Sequence, residues 1–427
     1  MRVLTIVSDL GSGGTQRTAQ NLTAGYAAAG HPVAVYAYVE GGRREAEIQA
    51  IGAEMFIGPP GGQALDQAVA WRPDLIHIHR HGTPDATSAA ILRRFDQACP
   101  EARVVETNHF ARVDRSPDRH LIDVHLQLSE WCLWKWSQWR RGLHPAPVGA
   151  VVPNPVDLDA FHPVSDADAQ AFRDTLGLEP DDVLLGRIGQ PIEWKWLPLV
   201  VESFARLARE DPRLHLLLVG RPDSLDDAVN ALEPDVRRRL HEITFLHGDA
   251  ALRAAYTAID VFSHAAEIGE SFGLVLTESM LCETPVVTLS RPLRDNSQLG
   301  VVEHEVGGLV AATPEAFDAA TRRLVADPAL RATLGRQGRE RTRERFGLDT
   351  VMQTVLRIVG HVQATDSPDA LRQALAADPN IVTDVPERRI KQLLSHMEGE
   401  TPLHIRALMR LLHQPAVYAL WRRLKGS

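Results

Sequence analysis

Short apolar runs recur along the first part of the chain, each bounded by glycine, proline or polar positions. Residues 3–7 form the first and predict a fully buried strand, leading into the loop Asp9-Leu-Gly-Ser-Gly-Gly14. Ala19, Leu22 and Tyr26 follow at helical spacing, and Gly30 stops that helix. Residues 32–39, 74–79, 104–107, 125–129 and 148–152 continue the strand series, with helical stretches between most of them. Buried strands alternating with helices predict a parallel, doubly wound sheet.

The pattern then starts again. Val152-Pro-Asn-Pro-Val-Asp157 is a proline-punctuated break, and the polar residues 165–182 lead to a new strand at 183–188. Residues 197–209 read as a helix, 214–220, 243–246 and 261–263 as strands, 275–281 as a helix and 286–289 as a strand. Two α/β domains with a hinge near residues 153–160 follow from this. Such sheets bind ligands at the carboxyl ends of their strands, and here those ends could face each other across a cleft. After about residue 365 the chain is helical, with no further strand pattern.

The most informative stretch is Asp260-Val-Phe-Ser-His-Ala-Ala-Glu-Ile-Gly-Glu270-Ser-Phe-Gly-Leu-Val-Leu-Thr-Glu278. Gly273 lets the backbone pass close to a ligand where a helix begins. The free amides around residues 273–275, at the positive end of the helix dipole, suit an anion such as phosphate. Glu278 could accept hydrogen bonds from a vicinal diol. Taken alone, Glu278 could equally be a solvated helix carboxylate and Glu270 a helix cap.

Glu270 and Glu278, with Phe272-Gly-Leu between them, resemble the signature of glycosyltransferase family 4, retaining enzymes of GT-B fold. The resemblance runs from the first strand to about residue 362. Gly13-Gly14-Thr-Gln-Arg17 is similar to the family's N-terminal glycine loop, and Asn154-Pro-Val-Asp157 with Phe161 and Pro163 to its interdomain connection. Gly186-Arg187 followed by Lys195 resembles the pair that binds the donor diphosphate; Leu252, Tyr256 and Asp260 fall where the family has a helix leading into a strand. The resemblance implies two Rossmann-like domains: 1–160 on the acceptor side and 161–345 on the donor side. A helix at 346–365 would cross back to the N-terminal domain, and 366–427 would be a helical extension. It implies that Arg187 and Lys195 neutralise the donor phosphates, and that Glu278 holds the ribose. Glu270, with Ser271 and the amides of Phe272, Gly273 and Leu274, would grip the transferred sugar. His109, in Glu106-Thr-Asn-His-Phe110, matches a family histidine close to the sugar's reactive end, and Gly14 would let the backbone approach the donor. The implied reaction moves a sugar from a UDP- or GDP-type donor to an acceptor hydroxyl with retention, without metal or cofactor, as the two domains close. A non-catalytic binding or scaffold protein and a sugar-nucleotide epimerase or phosphorylase are the alternatives.

Three departures from the family pattern stand out. Arg187 and Lys195 are spaced more widely than is common, so residues 189–194 imply an inserted loop. Glu283 sits where glycine is usual, at a cost of about 1 kcal/mol if φ is positive there. Residues 294–298 replace a glycine pair near the donor sugar.

Composition narrows the rest. A net charge of −9 argues against broad nucleic-acid binding. Cys99, Cys132 and Cys282 are too few for a disulfide framework, and no apolar run reaches the roughly 20 residues of a membrane span. A cytoplasmic protein is expected, with peripheral contact at the inner membrane face and homodimerisation as further readings. Asp157 and Asp159 look like a metal-binding pair but lie in the hinge. His77, His79 and His81 could share one strand face, although no carboxylate completes a metal site. The glycine loop lacks the third glycine of a dinucleotide fingerprint, that position being Gln16. Trp131, Trp134, Trp136 and Trp139 spread over more than one helical face, as core residues or as an aromatic wall for an acceptor. In the tail, Ile405, Leu408, Met409 and Leu412 recur at helical spacing. Arg406, Arg410, Arg422, Arg423 and Lys425 supply positive charge without any acid after Glu400, and residues 417–421 are apolar. Those apolar positions are expected to pack against the protein or a second subunit; resting on an anionic membrane is the alternative.

Overall fold

The computed structural model describes residues 1–397, 401, 403–412 and 417. Arg422, Arg423, Lys425 and most of the apolar segment 417–421 lie outside the described residues. The chain divides into two compact units. The first takes Met1–Pro155, Leu348–Ile390 and the described residues from Arg410 on; the second takes Val156–Gly347 and Lys391–Met409.

The first unit is built on β1 (Val3–Asp9), β2 (Val33–Glu40), β3 (Glu54–Ile57), β4 (Leu75–Arg80), β5 (Arg103–Asn108), β6 (Val124–Gln127) and β7 (Gly149–Val151). All pair in parallel, in the order β3-β2-β1-β4-β5-β6-β7. One face packs Val3, Val7 and Val105 against Leu22 and Tyr26 and against Val355, Ile358 and Val359 of the helix Leu348–Ala364. The other packs Ile6 and Ile78 against Ile91 and Phe95. Burial on both faces is why these strands read as continuous apolar runs.

The second unit holds β8 (Val183–Ile188), β9 (Leu214–Val219), β10 (Leu240–Ile243), β11 (Val261–His264), β12 (Gly269–Glu270), β13 (Val286–Leu289), β14 (Asp295–Asn296) and β15 (Gly308–Ala311). Six form a parallel sheet, β10-β9-β8-β11-β13-β15, and β12 pairs with β14 in a separate two-stranded ribbon. Leu185, Leu216, Leu218, Val261 and Val287 meet Phe204, Leu207, Phe317 and Leu334 in its core.

One expected strand is displaced, and β3, β12, β14 and β15 were not expected. The apolar run at 243–246 suggested the strand, whereas β10 is Leu240–Ile243, paired residue for residue with Leu216–Val219. An edge strand tolerates the polar His241 and Glu242 in its middle, and the apolar Phe245 lies beyond its end, 45% exposed. The tryptophan cluster is mainly core: Trp131, Trp136 and Trp139 are buried on the helix Glu130–Trp139, and Trp134 is half-buried. In the tail, Leu408 is 40% exposed, so it does not pack against the protein as expected.

Candidate active site

In the second unit the chemistry collects where β8, β11 and β12 end and the helix Leu274–Leu281 begins. Arg187, next to last on β8, is 1% exposed. Its Nη1 donates to the carbonyl of Ile188 (2.5 Å) and its Nη2 to that of Lys195 (2.8 Å), while the guanidinium lies 4.6 Å from the Trp196 ring centroid. The segment between Arg187 and Lys195 is thus a folded bracket, with a short 3₁₀ turn at Glu193–Lys195. Trp196 Nε1 donates to the Gln190 carbonyl (2.7 Å) and the Ile268 amide to the Trp194 carbonyl (3.0 Å). Arg187 Nε is buried without an acceptor, and among the described residues the side chain makes no ion pair. Burial therefore pulls Arg187 down to about 10, although Glu270 and Tyr256 oppose the shift. Lys195 Nζ is half-buried and reaches Gln190 Oε1 at 3.4 Å.

Glu270 lies on β12 rather than capping a helix. Its Oε1 is 3.0 Å from His264 Nε2, and His264 Nδ1 is 3.0 Å from the Thr288 hydroxyl. A carboxylate only accepts, so Nε2 carries the proton and Nδ1 accepts from Thr288. Burial pushes the Glu270 carboxyl up, but the His264 hydrogen bond and the nearby Lys195 and Arg187 charges outweigh it, leaving the group below its ordinary value. Burial, and then Arg187, push His264 down, so the imidazole donates while neutral.

The loop 294–298 holds Glu270 in place. The Glu270 amide donates to Gln298 Oε1 (3.3 Å), the Ser297 amide to the Glu270 carbonyl (2.8 Å) and the Asp295 amide to the Ile268 carbonyl (3.0 Å). Ser271 Oγ donates to Asp295 Oδ2 (3.0 Å), and Gln298 Nε2 to the Leu289 carbonyl (2.8 Å). Asp295, Asn296, Ser297 and Gln298 are all buried. Phe272 packs edge-on against Phe346, their centroids 5.1 Å apart. Gly273 caps the next helix with φ 91° and no side-chain cap; a Cβ there would stand 2.8 Å from Leu276 Cδ1. The first amides of that turn, Leu274 included, are left for another acceptor. Further along the helix, Glu278 is buried and Oε2 accepts from the Tyr256 hydroxyl at 3.1 Å.

Gly14 and His109 belong to the first unit. Gly14 opens the helix Gly14–Ala28, whose cap Gly13 offers no side chain. His109 follows β5, and its Nε2 is 3.2 Å from His79 Nδ1. His77 and His79 share one face of β4 and stack at 4.8 Å; His77 bonds the Tyr26 and Thr107 hydroxyls. Burial pushes His77 down to about 3; burial, with His81 and His77, does the same to His109. On the opposite face of β5, Glu106 and Asn108 are structural. Glu106 pairs with Arg80 (2.7 Å) and His125, and Asn108 Nδ2 holds the Arg112 carbonyl (2.8 Å).

Sequence reasoning therefore missed His264, Thr288 and Gln298 as supports of Glu270, and Tyr256 as the partner of Glu278. The unusual loop 294–298 signalled Gln298 alone; His264 stood inside the quoted stretch 260–278 without a partner to mark it, and nothing in the sequence marked Thr288.

A family model described as "Glycosyl transferases group 1" matches residues 168–341. The D-inositol 3-phosphate glycosyltransferase of Kineococcus radiotolerans is 30% identical over 324 residues, 69% of either chain. That of Saccharomonospora viridis is 32% identical over 330 residues, covering 74% of this chain and 71% of the relative. Among solved structures, Anabaena HepE in complex with UDP-glucose superposes with a TM-score of 0.67 at 19% identity, over 84% of this chain and 99% of that one. Sucrose-phosphate synthase from Thermosynechococcus elongatus gives 0.65 at 21% identity, over 86% and 100%. These structures share the fold. With the relatives, they place the chain in the group 1 glycosyl transferases, as a glycosyltransferase of GT-B fold.

Proposed function

We propose that the protein transfers a sugar from a nucleoside-diphosphate sugar to an acceptor hydroxyl with retention of configuration and without a metal ion. The observation that carries this is Arg187: a buried guanidinium with no carboxylate partner, beside Lys195 and an uncapped helix start. A buried charge left uncompensated is costly, and a diphosphate would supply the missing counter-charge. The first-turn amides after Gly273 add donors for the same anion. Glu278 is assigned to the ribose hydroxyls, with the Tyr256 hydroxyl fixing its orientation. Glu270, ionised and held on both sides of its backbone, is assigned to the sugar hydroxyls. His109, neutral by burial, is assigned a hydrogen bond to the sugar. As the donor bond loosens, Arg187, Lys195 and the amides stabilise the departing phosphate. One of its oxygens takes the acceptor proton on the same face, so positioning and electrostatics supply the catalysis. HepE, the fold neighbour solved with UDP-glucose, makes UDP-glucose the first donor to try, with a GDP-sugar as the alternative.

Calorimetry with UDP and GDP tests the assignment. Arg187→Ala and Glu278→Ala should each weaken nucleotide binding by about ten- to a hundred-fold; unchanged affinity in both would sink it. Glu270→Ala should lower turnover while leaving nucleotide affinity nearly intact. Turnover should survive excess chelator; loss on chelation with rescue by magnesium would overturn the metal-free reading.

A further inference from the structure

β4 carries His77 and His79 at alternate positions, where a strand buried on both faces ordinarily carries Val, Leu or Ile. His77 is wholly buried, and its two nitrogens lie 3.0 Å from the Tyr26 hydroxyl and 2.8 Å from that of Thr107. The His79 ring stacks on it, with 18° between their planes. His79 is buried as well, and its one polar partner is His109, whose Nε2 stands 3.2 Å from His79 Nδ1. His79 Nε2 is buried with no partner at all. The donor reading uses His109 and gives His77 and His79 nothing to do. Among the described residues, no three His, Cys, Asp or Glu side chains are grouped as metal ligands would be.

The protons decide what the pair does. Burial pushes both His79 and His109 far below their ordinary value, so each ring is neutral and carries a single N–H. Across their contact one nitrogen must donate and the other accept. Were His109 the donor, the His79 proton would sit on Nε2, a buried N–H facing no acceptor. Buried N–H groups without an acceptor are rarer than acceptors left unfilled. The His79 proton therefore sits on Nδ1 and is donated to His109 Nε2. That leaves the proton of His109 on Nδ1, which makes no hydrogen bond to a described residue. The His109 backbone is fixed too, its amide donating to the Arg80 carbonyl at 2.9 Å. We propose that His79 is a positioning residue: it holds the His109 ring in the Nδ1–H form, so that His109 presents a donor to a hydroxyl oxygen of the transferred sugar. His77, bonded at both nitrogens, is the floor on which His79 stacks. The proposal rests on the assignment of His109 to the sugar and gives that contact its direction.

Nitrogen NMR of the imidazole rings in the full-length protein is the test. Wild-type His109 should be protonated on Nδ1 and bare on Nε2. His79→Leu removes the donor, and both His109 nitrogens should move to the averaged positions of a mixed tautomer. His79→Asn places an amide N–H near the former Nδ1 and should restore the single form. In calorimetry, His79→Leu should weaken UDP-glucose binding by about two- to ten-fold while UDP alone binds as before, and His79→Asn should recover most of the loss. A His77 that keeps its protonation state shows that the surrounding core is folded; should the leucine variant lose that control, the wild-type tautomer decides. A wild-type His109 protonated on Nε2, or a His109 tautomer indifferent to His79→Leu, overturns the proposal and leaves the donor reading standing. If His109→Ala leaves UDP-glucose affinity unchanged, the sugar assignment of His109 fails and the proposal falls with it.

Discussion

Arg80 and Arg187 are the same residue in comparable places, each buried near the end of an inner strand of a parallel sheet, and they are treated oppositely. Arg80 gives Nε to Glu106 at 2.7 Å, Nη2 to Asp114 at 3.2 Å and Nη1 to Ser88 at 3.1 Å. Burial alone would lower it, but the two carboxylates more than reverse that. Arg187 has two backbone carbonyls and an Nε with no acceptor, and burial wins. A buried cation whose charge is answered inside the protein is a structural part. One that bonds only backbone carbonyls, with the nearby Glu270 charge too weak to offset burial, is poised for an anion from outside.

The largest expected effect breaks the first half of that contrast. Arg80→Met leaves Glu106 and Asp114 buried without their main counter-charge, and should cost about 3–5 kcal/mol of stability in denaturant titration. Arg187→Met removes an uncompensated charge, so its cost should stay within about 1.5 kcal/mol. Equal losses in the two variants would show that Arg187 is as structural as Arg80.

The histidines give the next test. Buried His77 and His109 titrate far below their ordinary value, both to about 3. Below the unfolded value of about 6.5 the unfolded chain binds protons that the folded chain refuses. Stability therefore falls as pH drops, by up to about 1.4 kcal/mol per histidine per pH unit. Thermal unfolding at pH 5.5 should show this loss relative to pH 7.5. Nitrogen NMR of the ring atoms should keep both imidazoles neutral throughout; a His109 that titrates near pH 6.5 would remove the argument for its neutral role. Glu270 behaves oppositely: its carboxyl is held low, so its charge persists as pH falls through the ordinary carboxylate range. Replacing His264 with Phe should move the acid limb of kcat/KM upward.

What the sequence made legible follows from where burial is two-sided. Strands such as β1, β4, β8 and β13 are buried along most or all of their length and rich in Val, Leu and Ile, so they stand out at once. β3 carries Glu54, mostly exposed, and only four residues, so no run marks it. β15 is as short, and its first residue is a glycine. The site was legible where glycine and charge mark the backbone: Gly273 is left-handed, and Arg187, Glu270 and Glu278 lie around one helix start. The supports of Glu270 were hidden because the bonds that link it to Gln298 and Ser297 join β12 to a segment far along the chain. Such pairing leaves no periodicity to read.

The smallest effect sharpens the comparison at the surface. Glu283 has φ 61°, the left-handed conformation foreseen for a glycine position, and its carboxylate accepts from Arg339 at 2.8 Å with both side chains about one-third exposed. The turn is fixed by close packing, since a Cβ on Gly335 would come within 2.0 Å of the Glu283 carbonyl oxygen. Backbone strain at a non-glycine residue here costs about 1 kcal/mol. A half-exposed ion pair returns only a few tenths to about 1 kcal/mol, less as salt screens it. Glycine also gives the unfolded chain more freedom, which subtracts part of the gain. Glu283→Gly should therefore change stability by no more than about 0.5 kcal/mol at low salt, and shift toward stabilisation as salt rises. Denaturant titration at two ionic strengths measures the difference. A loss above about 2 kcal/mol, independent of salt, would mean that this pair is valued like the buried Arg80 network, and exposure would no longer separate the two.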